Sequence, residues 1–214
     1  MTNRYAAHGS GSEFEPGSRG RVMRNLRRIK SVREMEQHES EALLATTHRL
    51  IDTVRADQRF NERDIRDVHK DWLGGTYEWA GEYRRINVAK GNFMFAAAGR
   101  VPQLMRAFAL GPLRELTPCS FTDIDEQSHA LAVVHTELVL IHPFRDGNGR
   151  CARLLSVLMG LQAGLPVLDF SGIRGEERRR YFLAAQGGLD RNYRPMTQIF
   201  RRVIERTLRQ PTNV

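Results

Sequence analysis

Cysteine and lysine are scarce in this 214-residue chain, and long apolar runs are missing. Its two cysteines, Cys119 and Cys151, are too few for a disulfide framework or a cysteine-rich metal cluster. No apolar run is long enough to cross a bilayer, and residues 1–20 lack the basic start and apolar stretch of a secretory signal. We therefore expect a cytoplasmic protein with no membrane partner.

The formal net charge of +8 comes mainly from arginine, since lysine occurs only at Lys30, Lys70 and Lys90. A strongly basic chain can bind nucleic acid. Here the arginines are spread along the sequence, without interleaved aromatic residues or a known nucleic-acid-binding motif. A solvated arginine-rich surface is the favoured interpretation, and nucleic acid is not expected as a partner.

The length and the 41% hydrophobic content suit one sizeable folded domain. Residues 1–21 are rich in glycine and serine and are predicted to form a flexible N-terminal arm. A single domain is expected over residues 22–208, followed by a C-terminal tail at 209–214. The sequence has no internal repeat and no sign of a second domain.

Apolar residues recur at helical spacing through most of the predicted domain. Helices are predicted over residues 31–56, 61–73, 101–110, 121–141, 148–164, 176–187 and 195–208. Two short apolar segments flank the Gly91-Asn92 pair, which predicts a β-hairpin over residues 86–95. The expected fold class is all-α, a helical bundle with one small hairpin.

The densest group of reactive side chains lies in residues 142–153, between two apolar helical segments. Pro143 disfavours helical dihedrals at His142, so the first helix should end there and leave the imidazole facing a loop. The next helix should start at a Gly-Asn-Gly turn, where unpaired amides and the helix dipole favour an anion. Gly147 and Gly149 would let a phosphate approach the backbone without a Cβ in the way.

Charged side chains in the same segment extend this interpretation. Arg150 and Arg153 are three residues apart, so they should share one helix face, where guanidinium groups bind phosphate oxygens. Asp146 suits an anion that carries Mg²⁺, which is held by one or two carboxylates together with phosphates. His142 adds a base that titrates near physiological pH. The set predicts a magnesium-nucleotide site and group transfer from the nucleotide.

The segment resembles the motif of the Fic family, His-x-Phe-x-(Asp/Glu)-Gly-Asn-Gly-Arg-x-x-Arg, and matches it at every specified position. Fic proteins are mostly adenylyltransferases that move AMP from ATP to a Ser, Thr or Tyr hydroxyl of a target protein. The resemblance implies that His142 is the general base, that Phe144 anchors the loop in the core, and that Asp146 is the Mg²⁺ ligand. It further implies an anion cradle formed by Gly147, Asn148 and Gly149. Arg150 and Arg153 would bind the outer phosphates. A Walker loop, by contrast, is absent from the sequence.

Residues 79–84, Trp-Ala-Gly-Glu-Tyr-Arg, and the hairpin after them resemble the segment that leads into the flap of Fic domains. In that family the flap lies over the nucleotide and adds a strand to the target's modifiable segment. The resemblance implies flap contacts to the target from Lys90, Gly91, Asn92, Phe93 and Met94. A plain surface hairpin is the alternative.

Two other functions stay open at this point. Some relatives transfer UMP or another phosphate-containing group, or phosphorylate with the nucleotide inverted. The phosphorylating branch departs from the motif at its second glycine, which this chain retains as Gly149. The other alternative is a non-catalytic module that binds a nucleotide or nucleic acid, against which the intact His142 argues.

The sequence says least about how the activity is regulated. Many Fic proteins are silenced by a helix with Ser/Thr-x-x-x-Glu-Gly/Asn, whose glutamate pairs with the second motif arginine, and this pattern is absent. Its nearest approach is Thr53 to Asp57, which makes Asp57 a candidate inhibitory residue. A separate small antitoxin, or no inhibitor, is the alternative. By analogy with small toxin-type relatives, a type II topoisomerase subunit is a candidate target.

Overall fold

The computed structural model describes residues 14–209, which form a helical bundle with one two-stranded hairpin. The helices are Val32–Thr53 (α1), Glu62–Leu73 (α2), Val101–Leu110 (α3), Pro112–Leu116 (α4), Ile124–Ile141 (α5), Asn148–Gln162 (α6), Glu176–Gly187 (α7) and Arg194–Leu208 (α8). The strands are Ala89–Lys90 (β1) and Phe93–Met94 (β2). The predicted all-α class with a small hairpin is confirmed.

Polar side chains fix where the helices α1, α2 and α5 begin. Ser31 caps α1 by accepting a hydrogen bond from the backbone of Glu34. Asn61 and Asp64 form a reciprocal capping box at the start of α2. Asp123 accepts from two amides in the first turn of α5, so this helix begins at Ile124 and not at the predicted residue 121.

Helix α5 lies at the centre of the bundle and packs against α8, α6 and α3. Apolar residues surround most of its axis, and Leu131 and Leu138 are almost fully buried. Burial of each such leucine contributes about 2 kcal/mol to stability. The C-terminal end of α5 and the start of α6 are therefore held firmly by the core, and the motif lies between them.

The N-terminal segment packs against the domain from residue 14 onward. The side chain of Glu15 is buried and accepts a hydrogen bond from the backbone of Asn25 at 3.2 Å. Ser18 is also buried, and Val22 joins a second apolar cluster with Trp72. Residues 14–21 therefore do not belong to a flexible arm, because they make buried contacts. Residues 1–13 of the predicted arm and 210–214 of the predicted tail lie outside the described residues.

The hairpin joins α2 to α3 and is shorter than predicted. Its strands are antiparallel, with Ala89 opposite Met94 and Lys90 opposite Phe93. Gly91 has a φ of +57°, which suits the tight connection at its tip. Within residues 14–209, no helix is both long and apolar enough to cross a membrane.

Candidate active site

His142 is positioned by the end of α5. The helix stops at Ile141, and His142 adopts a left-handed conformation with φ of 52° and ψ of 58°. Such a conformation costs a residue with a side chain about 1 kcal/mol. Pro143 follows directly and disfavours helical dihedrals at His142, which is why the helix was predicted to end here. The sharp turn directs the imidazole into a cavity between the hairpin, α6 and α7.

Two contacts orient the His142 ring. Its Nδ1 lies 3.0 Å from the carbonyl oxygen of Val139, which can only accept a hydrogen bond. Nδ1 therefore carries the proton in the neutral ring, and Nε2 is the basic nitrogen. The ring of Phe95 stacks on the imidazole with a centroid distance of 3.6 Å and an interplanar angle of 18°. The hairpin thus fixes the plane of the candidate base.

The environment of His142 disfavours its protonated form. Burial, together with the smaller effect of the nearby Arg84 and Lys90 cations, lowers the pKa of His142 to about 3, against the hydrogen bond to Val139 that raises it. The sequence-based expectation that this histidine titrates near physiological pH is therefore wrong. Burial, which no local pattern revealed, accounts for the difference.

Arg84 connects the end of α5 to the base of the hairpin. Its guanidinium donates to the carbonyl oxygens of His142 at 2.6 Å, Ile86 at 2.8 Å and Ile141 at 3.3 Å. It also contacts the carbonyl of Ala96. Carbonyls at a helix C-terminus lack partners within the helix and carry the negative end of its dipole. A buried cation therefore stabilises this turn, although burial lowers the pKa of Arg84.

The loop between the two helices is braced from inside. Phe144 is fully buried and stacks on His69 with ring centroids 3.8 Å apart, as expected of a core anchor. The backbone of Gly81 donates to Nδ1 of His69 at 2.9 Å, so Nε2 carries the proton and donates to the Asp146 carbonyl at 3.0 Å. Burial lowers the pKa of His69 to about 4, which keeps this arrangement neutral.

Glycine is required at position 147 for two reasons. Its φ is +80°, and a Cβ there would lie 2.8 Å from the ring of Trp72. The amide of Gly147 donates to Oδ1 of Asp146 at 2.6 Å, and Gly147 leads directly into α6. At Gly149, in the first turn, a Cβ would meet no atom within 4 Å. The space over that turn is therefore available to a ligand.

Asn148 has a different position from the other predicted cradle residues. Its side-chain oxygen accepts from the backbone of Phe144, and its side-chain nitrogen donates to the Phe144 carbonyl, both at 2.8 Å. The side chain is buried and is not among the residues that line the cavity. Asn148 therefore braces the loop, whereas the sequence predicted that it would form part of an anion cradle.

The two motif arginines have different surroundings. Arg150 donates to Glu39 on α1 at 2.7 Å and lies over the ring of Trp72, 4.4 Å from its centroid. The buried carboxylate of Glu39 also accepts from the hydroxyl of Tyr77 at 2.7 Å. Arg153, in contrast, has aromatic neighbours, and its buried Nε has no hydrogen-bond partner within residues 14–209. Arg153 is the better candidate for binding an outer phosphate.

These side chains border a cavity of about 570 Å³, a volume in the range of ligand sites. The hairpin forms one wall, the start of α6 the floor and α7 the opposite wall. The residues that line it include Lys90, Phe93, Phe95, His142, Asp146, Gly147, Gly149, Arg150, Arg153, Tyr181 and Phe182. The structure thus brings the predicted base, metal ligand and phosphate clamps to one cavity.

The hairpin reaches across this cavity. Nζ of Lys90 lies 3.5 Å from the centroid of the Phe182 ring on α7, which is the geometry of a cation–π contact. Gly91 and Phe93 also line the cavity, whereas Met94 is 65% exposed on the other side. The predicted flap residues therefore divide between the cavity wall and the outer surface.

The structure does not bring Asp57 together with Arg153. Asp57 follows α1 in an exposed loop and pairs with Arg55 at 2.8 Å. The carboxylate that reaches a motif arginine is Glu39, which the sequence analysis missed. The sequence does contain a sign of this role, because Glu39 is a charged residue within the apolar stripe of α1, at the buried position between Met35 and Leu43. His69, Phe95 and Tyr181 were also missed.

A profile of the Fic/DOC family matches residues 59–159 of this chain. The protein adenylyltransferase VbhT of Bartonella schoenbuchensis is 30% identical over 164 residues, which cover 74% of this chain and 33% of VbhT. The protein adenylyltransferase Fic of Nematostella vectensis is 32% identical over 150 residues, which cover 68% of this chain and 32% of that protein. This chain therefore spans about a third of the length of the curated relatives it matches.

A solved structure shares the fold. The crystal structure of BepC, a VirB-translocated effector protein of Bartonella tribocorum with bound AMPPNP, matches with a TM-score of 0.69 at 21% identity. The match covers 85% of this chain and 91% of that chain. With the complete motif, the family profile and the helical bundle in agreement, the chain belongs to the Fic/DOC family.

Proposed function

We propose that this chain is an adenylyltransferase domain, which transfers AMP from ATP to a Ser, Thr or Tyr hydroxyl of a target protein. The observation that carries the proposal is the single cavity that holds the basic Nε2 of His142, the carboxylate of Asp146 and the guanidinium of Arg153. Relatives named protein adenylyltransferases, and a fold neighbour with bound AMPPNP, support the same substrate and reaction.

The start of α6 is suited to the triphosphate. Its first amides have no partners within the helix, and the positive end of its dipole faces the cavity. The open space over Gly149 allows phosphate oxygens to approach that turn. Arg153 would bind the outer phosphates with an uncompensated charge, and Arg150 keeps further N–H donors besides the one that Glu39 accepts.

Asp146 fits the role of a Mg²⁺ ligand. Its carboxylate borders the cavity beside the phosphate-binding turn, and carboxylate oxygen is a donor that Mg²⁺ prefers. Within residues 14–209, no group of three or more His, Cys, Asp or Glu side chains is placed to hold a metal. Phosphate oxygens and water would therefore complete the coordination. When bound, Mg²⁺ would neutralise part of the triphosphate charge.

The residues support an in-line transfer at the α-phosphorus. The target hydroxyl oxygen forms a bond to the α-phosphorus, and its proton passes to Nε2 of His142. The bond from the α-phosphorus to the bridging oxygen breaks, and pyrophosphate leaves with the electron pair. Stacking by Phe95 and the Nδ1 hydrogen bond to Val139 hold the base in one orientation during this step.

The low pKa of His142 suits a base that acts only after ATP binds. Burial lowers this pKa most, and the Arg84 and Lys90 cations act in the same direction. A bound triphosphate brings negative charge to the same cavity, which raises the pKa of a nearby imidazole. We therefore expect His142 to become a stronger base in the ATP complex.

The hairpin is the proposed docking element for the target. An extended target segment could pair with its outer edge through backbone hydrogen bonds, which demand little of the target's sequence. The proposal includes a cytoplasmic location, where ATP is plentiful. It also includes a topoisomerase target and a small antitoxin as candidate partners. Phosphorylation would appear as a different added mass in the test that follows, and UMP transfer would appear when UTP replaces ATP.

The test is intact-mass analysis of lysate proteins incubated with the chain, ATP and Mg²⁺. Wild type should add the mass of an AMP moiety to a target, and His142→Ala should reduce the rate on the order of 10²-fold while ATP binding is kept. His129→Ala, on the polar side of α5 away from the cavity, is the matched control. Transfer by His142→Ala at the wild-type rate would refute the assignment of the base.

A further inference from the structure

A buried group of polar side chains lies behind Arg153, where α5, α6 and α7 meet. Nδ1 of His135 is 3.1 Å from Oγ of Ser156, and Nε2 of His135 is 2.6 Å from the hydroxyl of Tyr181. His135 and Ser156 are almost fully buried, and Tyr181 also borders the nucleotide cavity. These contacts link the centre of the bundle to the cavity wall.

The hydrogen bonds in this group run in one direction. Ser156 donates its proton to the carbonyl of Ala152 at 2.9 Å, so its Oγ accepts from Nδ1–H of His135. Burial lowers the pKa of His135 to about 3, which keeps the ring neutral with a single N–H. Nε2 is therefore an acceptor, and the hydroxyl of Tyr181 donates to it. The lone pairs of the phenolic oxygen can then accept hydrogen bonds from other donors.

Arg153 lies beside the ring of Tyr181. Its guanidinium carbon lies 5.3 Å from the centroid of the Tyr181 ring and 5.7 Å from that of Phe170. Burial raises the pKa of Tyr181, and the nearby charge of Arg153 acts in the opposite direction. Arg150 is held by the Glu39 carboxylate, whereas Arg153 lies against the aromatic rings of Tyr181 and Phe170. Its positive charge is therefore preserved for a ligand.

We propose that Tyr181 and His135 are positioning residues that hold Arg153 for the outer phosphates of the nucleotide. This inference rests on the proposed function, because it gives Arg153 the role of a phosphate clamp. A neutral acceptor aligns the guanidinium without cancelling its charge, and His135 keeps that acceptor turned toward Arg153. Tyr181 and His135 thereby set the preference of the site for ATP over AMP.

Nucleotide binding to the full chain by calorimetry separates this role from simple core packing. Tyr181→Phe keeps the ring and removes only the hydroxyl. It should weaken ATP binding about tenfold, because hydrogen bonds of charged groups are the strong ones, and should leave AMP binding within twofold. Tyr193→Phe is the matched control, since its hydroxyl contacts Glu137 outside the cavity. It should alter neither affinity.

Two further variants test whether the effect passes through Arg153 and His135. In an Arg153→Ala background, Tyr181→Phe should cause no further loss of ATP affinity. His135→Gln, which keeps an acceptor for the Tyr181 hydroxyl, should retain the ATP preference within about threefold. His135→Leu, if it folds by circular dichroism, should lose the preference as Tyr181→Phe does.

The outcomes distinguish this inference from the function on which it rests. Equal weakening of ATP and AMP in Tyr181→Phe, or unchanged ATP binding, would overturn the positioning role while the proposed function stands. An additive loss in the Arg153→Ala background would overturn it as well. A wild-type chain that binds ATP no better than AMP would overturn the phosphate clamp and count against the proposed function itself.

Discussion

At the residue scale, the two motif arginines differ in their partners more than in their spacing. Arg150 belongs to a buried group with Glu39, Tyr77 and Trp72, which ties α1 to the start of α6. Arg153 faces the cavity among aromatic rings. One arginine therefore has a structural partner, whereas we propose that the other serves mainly to bind the ligand.

Glu39→Ala should destabilise the protein, because it leaves the Arg150 cation and the Tyr77 hydroxyl without their shared acceptor. Breaking a buried ion pair in this way costs about 3 kcal/mol, or less here because a quarter of the Arg150 side chain is exposed. Urea unfolding measures the change. Glu41→Ala, an exposed position on the same helix, is the control and should change stability by under about 0.5 kcal/mol. Equal stabilities of the two variants would contradict the structural role of Glu39.

At the scale of elements, the hairpin serves two sides of the molecule. Its inner side carries Phe95 against His142 and Lys90 against Phe182. The backbone of Phe95 donates to Val88 within the hairpin at 3.2 Å. Because bonded and non-bonded pairs alternate along an antiparallel ladder, the N–H of Met94 points away from β1, toward the outer edge.

Met94→Pro therefore removes an outward donor and leaves the bond from Phe95 to Val88 in place. If a target strand pairs with this edge, the variant should lose target modification by tenfold or more and retain ATP binding. Met94→Ala, which removes the side chain and keeps the N–H, should modify the target at nearly the wild-type rate. Rates from intact-mass time courses decide the matter, and equal rates in the two variants would mean that targets dock elsewhere.

Element boundaries were largely predictable where local signals exist. Periodic apolar residues and caps such as Asn61 and Asp123 define helices within a few positions, and the glycine turn located the start of α6. The five-residue helix α4 was missed because it is too short for a periodic pattern. The packing of residues 14–21 was missed because their Gly- and Ser-rich composition conceals contacts such as that of Glu15 with Asn25.

At the scale of the whole molecule, the site depends on contacts between distant segments. The motif predicted the base, the carboxylate and the two arginines because their chemistry lies within twelve residues of sequence. Glu39 and Tyr181 could not be assigned in that way, since each reaches its arginine only through tertiary packing. The low pKa of His142 was equally unpredictable, because it follows from burial in the folded core.

Burial of neutral histidines in three parts of the bundle makes stability depend on pH. The folded-state pKa is about 4 for His69 and about 3 for His135 and His142, below the ordinary value of 6.5. The unfolded chain therefore binds more protons between these values, so stability is complete above pH 6.5 and falls below it. Between pH 7 and 5.5 the free energy of unfolding should drop by about 1 kcal/mol for each histidine.

Urea unfolding at several pH values measures this loss in a window above the ordinary carboxylate pKa values. His135→Gln should reduce the drop by about a third, because it removes one of the three groups. A free energy of unfolding that stays constant from pH 7 to 5.5 would show that these imidazoles accept protons in the folded protein.

Radiolabel transfer tests the central claim most directly, because the position of the label reports which phosphorus is attacked. A clamp at Arg153 for the outer phosphates leaves the α-phosphorus to the hydroxyl beside His142. The account predicts that label from α-³²P-ATP enters a target protein, that label from γ-³²P-ATP does not, and that His142→Ala reduces the α signal on the order of 10²-fold. Entry of the γ label, or an α signal undiminished in His142→Ala, would contradict it.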